Sequence, residues 1–143
     1  MKIFIFSLLL MTSLAQATEK PVTRTMNDKD LKWGACPEIF PKGCEIGVLH
    51  GTPDKKGADV YLRVPGNYVI PPHSHTSAEH MTLVSGILEV KFKGEETFTL
   101  KQGSYAFGPA KLAHQAKCTS EESCVLFISF DEPIDAKAYN GTL

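Results

Sequence analysis

Between Glu45 and Phe130, glycines, prolines and charged turns cut the chain into nine short segments rich in Val, Ile, Leu, Phe and Tyr: EIGVL, ADVYLRV, NYVI, HMTLV, ILEVKF, TFTLK, SYAF, HQAKC and CVLFISF. Segments this short and this regularly broken cannot be helices of a bundle or the alternating strands and helices of an α/β protein. No window longer than about ten residues carries a 3.6-residue apolar period. Only DLKWG and the tail DEPIDAKAY offer a turn of helix. Many short strands at close, even spacing predict an all-β sandwich or barrel.

ILEVKFKGEETFTLKQG is the clearest local unit. Leu88, Val90 and Phe92 alternate with polar neighbours, a Gly-Glu turn follows, and Phe98 and Leu100 alternate on the return, predicting a hairpin with one wet face. HQAKCTSEESCVLFISF is similarly expected to fold as two strands around a five-residue turn, with Cys118 opposite Cys124.

The N-terminus is of another kind. Lys2, the apolar run IFIFSLLLMTSL and the small residues AQA fit a secretory signal peptide, cleaved after Ala17. The run is shorter than the roughly 20 apolar residues of a membrane span. The expected organisation is a signal peptide over 1–17, a polar, irregular N-terminal arm over 18–35 that ends where Trp33 can dock, and one domain over 36–143. The implied location is periplasmic or secreted. Without Lys2, fourteen basic residues face sixteen acidic ones, with no basic stripe, which argues against nucleic acid and against membrane surfaces as partners after cleavage.

All four cysteines lie in the exported part, as Cys36 and Cys44 in CPEIFPKGC and Cys118 and Cys124 in CTSEESC. An oxidising compartment favours disulfides over zinc ligation, and of three pairings the local one, Cys36–Cys44 with Cys118–Cys124, is the simplest.

Three of the five histidines fall within PPHSHTSAEH, residues 71–80. In extended chain, His73 and His75 project to one face about 6–7 Å apart, close enough to converge on one ion. Glu79 shares their parity across a short TSA turn. His80 points to the opposite face, and His50 sits in a turn where solvent is the usual partner. His114, at the start of a later segment, remains as the fourth ligand. A lone histidine is most often a surface or satisfied core residue, but several buried imidazoles beside a carboxylate are costly without a cation between them.

These residues carry a resemblance. Gly66–Gly86, GNYVIPPHSHTSAEHMTLVSG, resembles the first motif of the cupin superfamily, and Gly103–His114, GSYAFGPAKLAH, resembles the second. The spacing departs from the family's commonest form by one extra residue between Gly66 and His73. Lys111 stands where a glycine is usual and Cys118 where an asparagine is common. The segment before the barrel also resembles that of small exported bacterial monocupins. The resemblance implies a jelly-roll β-barrel in which His73, His75, Glu79 and His114 hold a divalent transition metal: Fe, Mn, Ni, Cu or Zn, which ligand type alone does not separate. It also implies a homodimer.

Further expectations concern the surroundings of the site. Met81, Leu83, Phe107 and Phe127 are expected to line or underpin an apolar interior. Tyr68 and Tyr105 are candidate donors to a metal-bound ligand, while Arg63 is expected on the outer face with Tyr61. Asn140-Gly141-Thr142 fits a glycosylation pattern. No nucleophile elbow, phosphate loop or dinucleotide fingerprint is present. The leading expectation is a metal-dependent, dioxygenase-like oxidoreductase acting on a small organic molecule, with Glu79 as ligand and proton acceptor. The alternative is a non-catalytic small-molecule-binding or sensor cupin with a structural metal.

Overall fold

A computed structural model of the chain describes residues 19–143. The expected signal peptide lies outside the described residues. The strands are β1 (Trp33–Ala35), β2 (Glu45–His50), β3 (Ala58–Val64), β4 (Val69–Ser74), β5 (Glu79–Ser85), β6 (Leu88–Phe92), β7 (Thr97–Leu100), β8 (Tyr105–Gly108), β9 (His114–Cys118), β10 (Cys124–Phe130) and β11 (Lys137–Ala138). All nine predicted segments are present. The two stretches that offered a helical turn instead supply β1 and β11, and no helix occurs among the described residues.

Two antiparallel sheets face each other, one ordered β1-β2-β3-β10-β5-β8 and the other β11-β4-β9-β6-β7. This is the jelly-roll arrangement that the resemblance implied. Alternation along each strand sends Val60, Leu83, Leu88, Val90, Leu126 and Ile128 into a single core between the sheets. Ahead of β2, buried Leu31 packs on Gly47, where the missing Cβ leaves room for it. Trp33 lies under the Arg63 guanidinium at 3.9 Å, and Arg63 also binds the Glu45 carboxylate at 2.6 and 3.0 Å. Arg63 is thus an outer-face residue, as parity predicted.

The β6–β7 hairpin forms with Leu88 opposite Leu100. The second predicted hairpin does not form. β9 pairs with β4 and β6, whereas β10 pairs with β3 and β5, so the turn between them crosses from one sheet to the other. The Cys118–Cys124 disulfide therefore ties the two sheets together at this crossing. Cys36–Cys44 closes the loop that leads into β2. Both bridges follow the local pairing, and two disulfides fit an oxidising, extracytoplasmic environment.

Two interior expectations need correction. Met81 and Leu83 are buried, but Phe107 is 46% exposed and Phe127 lies on the outer face, edge-on to Tyr61. In β10 the inward set is Leu126, Ile128 and Phe130, which turns Phe127 outward. β8 is an edge strand whose register places Phe107 beside outward His80.

Lys111 adopts a left-handed backbone, φ +66°. A residue with no Cβ is least strained there, which accounts for the glycine usual at this motif position.

Candidate metal centre

The site begins with two prolines. Pro71 and Pro72 have no N–H to give to the β4–β9 ladder, which is interrupted after Ile70–Ala116 and resumes at His73–His114. Three steps on β4 against two on β9 make a one-residue bulge. Its consequence is a change of parity: Ile70 and His73 both face inward although three positions apart. The extra residue between Gly66 and His73 is absorbed by this irregular stretch of β4, and the resumed register sets His73 directly opposite His114.

His75 follows at the end of β4, and Glu79 opens β5 after a tight turn. The turn is held from outside itself. The Ser77 hydroxyl donates to the Ala78 carbonyl and accepts from the Glu132 amide at 2.9 Å. Asp135 accepts bonds from the Thr76 amide and hydroxyl through its carboxylate and from the His75 ring through its carbonyl.

Each of the three rings is oriented in the same manner. A backbone carbonyl can only accept, so Nδ1 is the protonated nitrogen in each: His73 donates to Pro71, His75 to Asp135 and His114 to Leu112. The lone pair of each ring is left on Nε2. The three histidines are buried, at 4, 8 and 6% exposure, and one ligand nitrogen from each lies within 4.8 Å of the others. They could hold a metal ion. Glu79, also buried, places Oε1 3.3 Å from His75 Nε2 and Oε2 3.4 Å from His114 Nε2. Glu79 thus borders the triad through a different oxygen on each side, while the donor atoms that all lie within 4.8 Å of one another are those of the three histidines.

Electrostatics favours the same conclusion. Burial, with His114 and His75 close by, pushes His73 down to about 3. Burial likewise lowers His114 to about 4, against the pull of the Leu112 carbonyl, and lowers His75. All three are neutral donors at neutral pH. Burial pushes Glu79 up to about 8, so without a cation its carboxyl stays protonated at pH 7.

The remaining candidates fall elsewhere. His80 is on the outer face, bonded to the Tyr105 hydroxyl at 2.9 Å and 3.6 Å from Asp131. His50 is exposed, between Glu19 and Asp59. Neither tyrosine reaches the site: Tyr68 donates to the Pro41 carbonyl, and Tyr105 is 60% exposed. Two contributors escaped the sequence reading. Phe40, from the Cys36–Cys44 loop, stands edge-on to His73 at 4.9 Å between ring centres. Asp135 comes from the C-terminal tail. Neither belongs to a motif, and only the DEP turn before Asp135 hinted that the tail folds back. Above the histidines a cavity of about 70 Å³ runs between the sheets, roofed by Pro37, Phe40 and Ile134.

Comparison with known proteins agrees with this fold. Solved structures similar to the chain include the polyketide cyclase RemF from Streptomyces resistomycificus, at 20% identity and TM-score 0.69 over 87% of this chain and 88% of that one. Another is the DMSP lyase DddQ from Ruegeria pomeroyi DSS-3, at 17% identity and TM-score 0.66 over 87% and 84%. KdgF from Halomonas sp. aligns at 22% identity and TM-score 0.58 over 71% and 88%. At such identities the likeness establishes the fold. No curated protein sequence matches. The family described as the ChrR cupin-like domain matches residues 22–132, spanning both motifs with His73, His75, Glu79 and His114, and the chain belongs to that family.

Proposed function

We propose that this cupin is an exported, metal-dependent oxidoreductase of dioxygenase-like type, acting on a small organic molecule, with His73, His75, Glu79 and His114 as the ligands of one divalent transition metal. The observation that carries this reading is the convergence of three neutral Nε2 lone pairs and one carboxyl at the base of an apolar cavity. Four protein donors leave two positions free on a six-coordinate ion. A divalent transition ion bound there would supply Lewis acidity and, for a redox-active metal, electron exchange with O2.

The chain's own contributions are definite. The backbone carbonyls of Pro71, Leu112 and Asp135 fix the ring tautomers, and burial keeps the imidazoles unprotonated well below neutrality. Among the described residues, Glu79 is the group at the cavity floor able to take or give a proton near pH 7. Oxygen uptake by metal-loaded protein across phenolic, thiol and keto-acid substrates is the test. Uptake with one class supports the oxidoreductase; silence from a fully loaded protein favours the second reading, a binding or sensor cupin. That second reading has its own support: among the described residues the only other acid or base lining the cavity is Asp135, and its carboxylate is already held by Thr76 and Lys137.

Glu79 also gives a pH-linked expectation. Its pKa is raised on folding, from about 4.5 to about 8, so the stability it lends the metal-free chain is complete below pH 4.5 and is lost as pH rises through 8. Metal binding at pH 7 must displace that proton. Calorimetric titration in buffers of different ionisation enthalpy is expected to report release of about one proton per ion, and about none from Glu79→Gln. Equal release from both proteins would remove Glu79 from the ligand set.

A further inference from the structure

Resting on that reading of the site, we infer that the ligand this cavity accepts is a small molecule with an uncharged, apolar body and a single polar end, the end that meets the histidines. The walls decide this. Above the donor cluster the lining side chains are aliphatic or aromatic, drawn from both sheets (Ile70, Met81, Leu126) and from the roof (Phe40, Ile134). Among the described residues, no lysine, arginine, serine, threonine or tyrosine lines it.

The one further charged residue at the cavity is Asp135, and its carboxylate is turned away. Oδ1 is held by the Thr76 amide at 2.6 Å, and Oδ2 by the Thr76 hydroxyl and by the Lys137 ammonium at 3.2 Å. A second charge on the ligand, whether carboxylate, phosphate or ammonium, would therefore be buried against hydrocarbon with no partner. Neutral apolar tails lose nothing there and gain from leaving water.

The size follows as well. The cavity of about 70 Å³ has room for a few heavy atoms beyond the coordinating group, and Phe40, edge-on to His73, limits its depth. Since Phe40 belongs to a loop closed by Cys36–Cys44, the roof has little freedom to withdraw.

The test uses the full chain loaded with cobalt(II) and three probes sharing one hydroxamate head: butanohydroxamate, 4-aminobutanohydroxamate and succinic monohydroxamate. Binding is read from the visible absorption of cobalt, independently of any turnover. We expect butanohydroxamate to bind at least about tenfold more tightly than either charged analogue. The variant Ile134→Lys, at the partly exposed roof, is expected to shift the preference towards the succinyl probe. Comparable affinities for all three, or preference for a charged tail in the native chain, would overturn the inference while leaving the metal site standing. Failure to take up cobalt at all would overturn both.

Discussion

Replacing His114 by alanine is expected to lower metal affinity about a hundredfold or more while the chain still folds. The ring supplies one of three nitrogens, and removing even a residue that only orients a ligand typically costs 10- to 100-fold. His114 is the informative choice because it lies forty residues from the HxH pair and reaches it only through the register that sets it opposite His73. His75→Ala should behave alike. His80→Ala is the matched control: its ring points away, to Tyr105 and Asp131, so metal content should stay at the native level. Metal analysis after dialysis, with circular dichroism to verify the fold, separates these outcomes. Loss of metal from the His80 variant with retention in the His114 variant would mean that the site has been assigned to the wrong face of β5.

The largest effect on stability is expected at Gly66. A Cβ built there would stand 2.0 Å from the backbone oxygen of Glu121, in the turn that carries the chain from β9 to β10. Backbone cannot swing aside as a side-chain tip can, and that turn is already tied by the Cys118–Cys124 bridge and by the bond from the Asn67 amide to the Ser120 carbonyl. Gly66→Ala is therefore expected to cost about 3 kcal/mol in denaturant unfolding. Gly94→Ala provides the contrast. It meets open space but has φ +81°, so only backbone strain opposes it, at about 1 kcal/mol. If the two variants proved equally stable, the close approach at Gly66 would not be a constraint.

Much of this architecture was legible because period-two alternation is a local signal. It located the strands, kept His73, His75 and Glu79 on one face and sent His80 to the other. It failed where alternation is absent or interrupted. CVLFISF is apolar but for Ser129, whose parity with Phe127 is the one mark in it that Phe127 faces outward, and its separation from β9 into the other sheet is a property of the whole barrel. Phe107 reads as an interior residue and Tyr105 as a donor to a metal-bound ligand, but they lie on an edge strand, where outward side chains go uncovered.

The prolines at 71 and 72 illustrate a middle case. Their effect on spacing was visible as one extra residue. The bulge that turns it into an inward His73 depends on where the β4–β9 ladder resumes. Phe40 and Asp135 were beyond reach for a different reason. Each acts by closing on the site from a loop or tail distant in sequence, and neither has a spacing that marks it. Lys111 ran the other way: a departure from the motif in sequence is explained by a left-handed backbone that the fold imposes there whatever the side chain.

X-ray absorption of the full chain, purified and then reloaded with a single divalent transition metal, tests the central claim most directly. The expected result is close to one ion per chain, with the multiple-scattering pattern of three imidazoles and no thiolate sulfur, since all four cysteines are in disulfides. A folded chain that takes up no stoichiometric metal, or one whose bound metal has fewer than three imidazoles, would contradict it.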